Sequence, residues 1–257
     1  MKLTNKYRLP APLVLAVKHF ESEYKAGALP DSISTTTLIR PVQQVELRRR
    51  HEDALTEDVS DRIWALRGQI EHGILEAAGK ELTKSLGHDP VGASVFIEKR
   101  FSVEVLRWTV SGRIDYFEDG ILTDYKDTSV WNYVYGKPEW ELQGNVNRYL
   151  MEMNGITVKG LRNTLVFRDF QESKAGLGRY PERGVLEVVL PMWTLEKARQ
   201  YIEGRVQLFQ ENREREDGAL TECTDEDRKW NARQKVYVMC ERYCPVRDFC
   251  KQRKKEG

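Results

Sequence analysis

The sequence has no long apolar run, no excess of charge of either sign and no cysteine before Cys223. No apolar stretch approaches the roughly 18 residues of a membrane span, and the N-terminus lacks the apolar core of a signal peptide. A formal net charge of only +1 gives no overall signature of nucleic-acid binding. These absences predict a cytoplasmic protein with no membrane partner.

The sequence also has no internal repeat and no glycine-rich nucleotide-binding loop. Its 257 residues are 40% hydrophobic, so a sizeable core can form, with about 70–75% of the unfolded chain's surface buried. The composition favours a main domain over 61–215, an irregular and helical N-terminal region over 1–60, and a cysteine-rich basic tail over 216–257. Segment 228–257 holds ten basic and three acidic residues, a pattern that suits either phosphate contact or a solvated surface.

Hydrophobic periodicity predicts the order helix, three strands, helix, two strands, helix. The three strands within 93–126 alternate apolar and polar residues, and we interpret them as one antiparallel meander. The predicted segments are a helix at 61–83, strands within 93–126, a helix at 139–153, strands at 163–170 and 184–190, and a helix at 194–215. This order indicates an α/β fold with a central mixed sheet flanked by helices.

The stretch "GRIDYFEDGILTDYK" predicts a β-hairpin with an unusual pair of charges. Asp119-Gly120 between apolar runs is a strong signal for a two-residue turn. With that turn, Asp115 lies opposite Asp124, and Lys126 shares the face of Asp124. Opposed side chains have Cβ atoms about 4.5–5.5 Å apart, so two like charges there destabilise the sheet.

A divalent metal bound by both carboxylates would relieve this repulsion. Carboxylates suit Mg²⁺ or Mn²⁺, and a neighbouring lysine can stabilise charge that develops on a phosphate or can position a water. The alternative is an ordinary surface hairpin, with Asp115 and Asp124 solvated and Lys126 paired with one of them. Glu98 and Glu104 precede the hairpin; either could reach the metal, and the spacing does not choose between them.

Three segments, "SGRID", "LTDYKD" and "ELQGNVNRYLM", together resemble the PD-(D/E)XK nuclease superfamily, most closely its RecB-type, CRISPR-adaptation-nuclease-like branch. The resemblance implies a restriction-endonuclease-like core over 61–215. It implies metal ligands at Asp115 and Asp124, a catalytic Lys126 and a supporting Gln143. The segment "RGQIEHGILE" is similar to the branch's glycine-then-histidine helix, which makes His72 a third ligand, although periodicity places His72 opposite the helix's apolar stripe.

The implied function is a metal-dependent DNA nuclease, an exonuclease in recombination, repair or phage DNA processing, with recombination or phage replication proteins as partners. Two departures bear on this. Asp124 stands where the branch often has glutamate, and Asn147 stands where tyrosine usually follows Gln143 by four residues. A nuclease-derived DNA-binding or scaffolding protein that does not cleave is therefore the alternative.

The four cysteines all lie near the C-terminus, three of them in "CERYCPVRDFC". In a reducing compartment such a cluster indicates a metal site more than disulfides. The nuclease branch carries three C-terminal cysteines and one upstream cysteine on a [4Fe–4S] cluster, but Arg40 occupies the upstream position here. The resemblance therefore implies a cluster on Cys223, Cys240, Cys244 and Cys250. A zinc ion on the same thiolates, or free cysteines, are the alternatives.

Overall fold

The computed structural model describes residues 1–25, 31–85 and 95–254. Its strands are β1 Lys2–Thr4, β2 Ser32–Ser34, β3 Thr56–Asp58, β4 Phe96–Ile97, β5 Arg100–Val105, β6 Trp108–Arg113, β7 Tyr116–Glu118, β8 Ile121–Thr128, β9 Gly160–Phe167, β10 Val185–Leu190, β11 Trp230–Asn231 and β12 Val236–Tyr237. Its α-helices are α1 Ala11–Lys25, α2 Thr35–Leu38, α3 Val42–Arg50, α4 Ile63–Ser85, α5 Val130–Tyr135, α6 Pro138–Met153, α7 Leu195–Arg213, α8 Asp225–Arg228 and α9 Lys251–Lys254.

The chain forms two compact units. The first comprises Met1–Gly27, Thr37–Ile63 and Glu203–Gly257, and the second comprises Ala28–Thr36 and Trp64–Ile202. The cysteine-rich tail shares the first unit with the N-terminal region apart from Ala28–Thr36. None of the described helices combines the length and apolarity that a membrane crossing needs.

The predicted turn of the central hairpin is confirmed. Glu118 pairs with Ile121, and the two loop residues Asp119 and Gly120 have φ of 52° and 88°. Positive φ at both positions belongs to the turn type whose twist matches that of a hairpin's strands. The β5–β6 hairpin turns in the same way at Leu106 and Arg107, with φ of 48° and 67°.

The predicted single meander is wrong. β8, β7 and β4 belong to a five-stranded sheet of order β10-β9-β8-β7-β4, whereas β5 and β6 form a three-stranded sheet with β2. The expected middle strand is divided at Ile114 and Asp115, because Ile114 N donates to Lys99 O and the carboxylate of Asp115 accepts from another strand. Residues 93 and 94 of the predicted first strand lie outside the described residues.

Helix α6 organises the second unit, as its predicted range indicated. β8 and β9 are parallel, and a parallel pair needs a long crossover, which α5 and α6 supply here. Val146, Leu150 and Met151 of α6 are fully buried, and α6 contacts strands of both large sheets. This packing fixes the distance between α6 and β8, and so the position of Gln143 relative to the residues of β8.

Helix α4 forms where expected but presents the opposite face. Leu66 is buried, yet Ile70 and Ile74 of the predicted inward stripe are 49% and 64% exposed. His72 and Glu76 are instead half-buried. Ion pairing of His72 with buried carboxylates of the second unit accounts for the orientation, because an unpaired buried carboxylate is more costly than an exposed isoleucine.

The first unit has its own apolar cluster, of Leu47, Leu55, Leu220, Val246 and Cys250. Beside it, the fully buried carboxylate of Glu46 pairs with arginines of α3 and α7. Its partners are Arg49, Arg50 and Arg213. A buried carboxylate is tolerated when it is paired in this way.

Candidate metal and phosphodiester site

The two aspartates of the central hairpin lie at the point where regular pairing stops. The β7–β8 ladder ends at Tyr116 and Thr123, one residue short of the predicted pair of Asp115 and Asp124. Asp115 Oδ2 instead accepts a hydrogen bond from Tyr125 N at 2.8 Å. This bond turns the buried carboxylate of Asp115 towards β8, the strand that carries Asp124 and Lys126.

Asp124, Lys126 and Gln143 form one hydrogen-bonded group. Lys126 Nζ is ion-paired with Asp124 Oδ2 and donates to Gln143 Oε1 at 3.0 Å. Gln143 Nε2 donates to Asp124 Oδ1 at 3.2 Å. The glutamine on α6 therefore holds both side chains of β8 in place, and the structure brings together three residues that the sequence predicted separately.

His72 converges on Asp115 and on a residue that the sequence left undecided, Glu98. His72 Nδ1 lies 3.2 Å from Glu98 Oε1 and 3.6 Å from Asp115 Oδ1, and ligand atoms of all three lie within 4.8 Å of one another. The other candidate, Glu104, is exposed on β5.

The register of β4 on β7 selects Glu98. Ile97 pairs with Tyr116, and the next residues face each other, with Glu98 N donating to Asp115 O at 3.0 Å. A two-residue strand has too weak a pattern to be predicted from sequence, which is why the spacing alone did not find Glu98.

The electrostatics of the site reflect crowded carboxylates. The pKa of Asp115 is raised to about 8, mainly by burial and next by the charge of Asp124, against the opposing effects of His72 and Lys126. The pKa of His72 is raised by its hydrogen bond to Glu98 and by the nearby carboxylates, although burial acts in the opposite direction. A divalent cation would replace the protons that Asp115 and His72 otherwise hold.

The donor set fits a metal of the Mg²⁺ or Mn²⁺ type. Carboxylate oxygens are the ligands these ions prefer, and imidazole is tolerated by the transition metals among them. His72 and Asp115 are predicted ligands that the structure places together, and Glu98 adds a second carboxylate. Asp124 is turned to Lys126 and Gln143.

Gly112 and Asn147 explain how α6 approaches this site. A Cβ atom at Gly112 would lie 2.2 Å from Asn147 Oδ1 and 2.7 Å from Thr35 Oγ1, so only glycine fits there. Asn147 is buried and lines a small cavity together with Asp115 and Asp124. A bulky aromatic ring in place of Asn147 would need a different spacing between α6 and β6.

The cysteines lie in the first unit, around the start of α3. The thiols of Cys223 and Cys250 both donate to Gln43 Oε1, at 3.5 and 3.6 Å. Cys244 Sγ accepts from Gln44 Nε2 at 3.9 Å. The structure therefore places the glutamine side chains at the start of α3 against three of the C-terminal cysteines.

The four thiols lie close enough to influence one another. The pKa of Cys223 is raised to about 12 by burial, by Asp227 and by the three other cysteines. Burial also raises the pKa of Cys244, to which Cys240 and Cys250 contribute. Such thiols are poor nucleophiles at neutral pH. Four thiolates suit an iron–sulfur cluster or zinc, but among the described residues the ligand atoms that converge at metal-binding distances are those of His72, Glu98 and Asp115, not the thiols.

Comparison with known proteins identifies the fold only. No family model and no curated protein matches the chain. Among solved structures, the crystal structure of SSO0001 superimposes with a TM-score of 0.53 at 14% sequence identity, over 79% of this chain and 88% of that one. The chain therefore shares with SSO0001 a mixed α/β architecture.

Proposed function

We propose that this protein is a metal-dependent DNA nuclease that hydrolyses phosphodiester bonds, acting as an exonuclease in recombination, repair or phage DNA processing. The observation that carries the proposal is the convergence of Asp124, Lys126 and Gln143 in one hydrogen-bonded group, beside Asp115 and His72. Regular strand pairing stops beside this group, and the side chains of Lys126 and Asp124 are 20% and 14% exposed.

Each side chain has a role in this proposal. His72, Asp115 and Asp124 hold the Mg²⁺ or Mn²⁺ ion, which supplies Lewis-acid polarisation of a phosphoryl oxygen and an activated water when it is bound. Lys126 stabilises charge on the phosphate or orients the attacking water. Gln143 keeps Lys126 and Asp124 in register, because it hydrogen-bonds to both.

The proposal extends to the fold, the compartment and the cysteines. The second unit would be a restriction-endonuclease-like core of the PD-(D/E)XK type, in a cytoplasmic protein. Cys223, Cys240, Cys244 and Cys250 would hold a [4Fe–4S] cluster of structural function, with zinc as the other metal that four thiolates suit. Support comes from the proximity of Cys223 and Cys250, whose sulfur atoms lie 3.5 and 3.6 Å from the same atom, Gln43 Oε1.

The test compares wild type with Lys126→Ala on end-labelled linear DNA, single- and double-stranded, in Mn²⁺, Mg²⁺ and EDTA. We expect metal-dependent cleavage by wild type and a loss of about 10²-fold or more in the variant. Lys80→Ala is the matched control, since it removes the same charge from an exposed position on α4.

The outcomes separate the proposal from its alternative. Cleavage that Lys126→Ala retains in full would contradict the assigned site. DNA binding without cleavage by folded, metal-loaded wild type would instead favour the nuclease-derived binding protein.

A further inference from the structure

Glu98 has no role in the function proposed above, although its side chain is only 5% exposed and its Oε1 lies 3.2 Å from His72 Nδ1. Burying a carboxylate is costly even when it is paired, as Glu98 is with His72 and Arg113, so its position needs a physical reason. We propose that Glu98 is a direct ligand of the metal, forming one coordinating face with His72 and Asp115; this inference rests on the metal-dependent function proposed above.

Donor spacing supports a shared ion. Mg²⁺ binds oxygen at about 2.0–2.1 Å in octahedral geometry, so its adjacent ligand atoms lie about 2.9 Å apart. The distances from His72 Nδ1 to Glu98 Oε1 and Asp115 Oδ1 are 3.2 and 3.6 Å. Small side-chain movements would bring the three donors to the spacing of adjacent ligands on one ion.

The backbone delivers Glu98 to this position. Its φ of 48° is in the left-handed region, which a non-glycine residue adopts only at an energetic cost. The hydrogen bond from Glu98 N to Asp115 O fixes the two residues opposite each other. The main chain therefore fixes the backbone positions of both residues, and it holds the carboxylate of Asp115 through Tyr125 N.

The second oxygen of Glu98 is also occupied in a way that suits a ligand. Glu98 Oε2 pairs with Arg113 Nε at 2.8 Å, which leaves Oε1 on the side of His72 and Asp115. Carboxylates that bind metals are commonly oriented by such an outer partner. Arg113 comes from β6, so the outer contact is anchored in the neighbouring sheet.

The experiment measures Mn²⁺ binding and the number of water molecules on the bound Mn²⁺, by isothermal titration calorimetry and water-proton relaxation. Glu98→Ala should weaken Mn²⁺ binding by about tenfold or more and should add one coordinated water, because a vacated ligand position fills with water. Glu98→Gln, which keeps a hydrogen-bond acceptor for His72, is the second variant in case Glu98→Ala does not fold. Glu104→Ala is the matched control and should change neither quantity.

Two results would overturn the inference. Unchanged affinity in both Glu98 variants would exclude any role at the metal, and weaker binding with an unchanged water count would show that Glu98 only orients His72. Cleavage assays on the same proteins keep the two proposals apart. Mn²⁺ binding that depends on Glu98 but supports no DNA cleavage would reject the nuclease and leave the ligand assignment intact. Metal-dependent cleavage by wild type, together with unchanged Mn²⁺ affinity and water count in the Glu98 variants, would support the nuclease and reject Glu98 as a ligand.

Discussion

The carboxylate site of the second unit and the cysteine cluster of the first unit are built by different means. Asp115, Asp124 and Lys126 are placed by strands whose register is fixed by backbone pairing and a tight turn. The cysteines lie on irregular chain and a single π-helical turn, Met239–Tyr243, and three of them, Cys223, Cys244 and Cys250, contact glutamine side chains. The carboxylates are therefore positioned by backbone pairing, whereas the cysteines depend on side-chain contacts.

Gln252 shows how far side chains substitute for regular structure in the cysteine region. Its Oε1 accepts from Cys223 N and its Nε2 donates to Cys223 O, both at 3.0 Å. The Gln252 amide thus satisfies both backbone hydrogen-bonding groups of Cys223, as a residue on a neighbouring strand would. Glutamines at positions 43, 44 and 252 all serve this region, so its geometry depends on amide side chains.

The largest effect should come from Asp115→Asn, which separates activity from stability at the carboxylate site. We expect cleavage to fall by about 10²-fold or more, since a metal ligand is lost. In EDTA the variant should be more stable than wild type, because Asp115 is costly to ionise in the folded state. A metal-dependent rise in Tm should be seen for wild type and should be much smaller for the variant.

The stability gain has a defined pH dependence. The pKa of Asp115 is raised to about 8 in the folded protein, above its usual value near 3.9 when unfolded. The folded state is thus penalised increasingly as pH rises from about 4 to about 8. Thermal unfolding in EDTA should give nearly the same Tm for wild type and Asp115→Asn at pH 4. The Tm of the variant should exceed that of wild type by an amount that grows up to pH 8. A difference independent of pH would contradict this account.

An intermediate effect is expected from Gln43→Leu in the cysteine region. The substitution removes the shared acceptor of the Cys223 and Cys250 thiols, and an unsatisfied buried donor costs about 1–3 kcal/mol. Urea unfolding of the metal-free protein, in which the thiols keep their protons, should show this loss, with iron and zinc content measured to confirm that both metals are absent. Gln44→Leu, whose amide reaches only Cys244 at 3.9 Å, is the control and should cost less. Equal losses in the two variants would argue against the shared acceptor.

The smallest effect should come from Asp169→Asn, which tests a side-chain contact in the second unit. Asp169 accepts from Ser129 Oγ at 2.6 Å and from Val130 N at 2.7 Å, at the start of α5. Burial alone would raise the pKa of Asp169, but these hydrogen bonds outweigh it and lower the pKa below its ordinary value. We expect a loss of about 0.5–1 kcal/mol in the free energy of unfolding at pH 7.

The same contact should weaken in acid. Because the folded-state pKa of Asp169 is lowered, its stabilising contribution is present above about pH 4 and is lost as pH falls through the folded pKa. Urea unfolding at pH 7 and pH 3 measures the change. Asp248→Asn, at an exposed position, serves as the control. A loss of equal size at both pH values would assign the effect to packing instead of charge.

Local sequence determined much of this protein. The Asp119-Gly120 turn set the register of the central hairpin, and the local sequence predicted the ranges of α6 and α7. These features depend on neighbours within a few residues, where backbone preference and apolar spacing decide the outcome. The alternation within 93–126 correctly indicated strands but not their partners.

Only the tertiary structure decided how the pieces meet. Periodicity predicted that Ile70 and Ile74 would face the core. In the structure, the polar face of α4 is the one that contacts the rest of the second unit, because His72 pairs with the buried carboxylates of Glu98 and Asp115. The division of the meander and the choice of Glu98 over Glu104 likewise follow from β4, a strand of two residues. Charges and pairings between residues far apart in sequence leave no local pattern, because their energies depend on burial and distance that exist only in the folded chain.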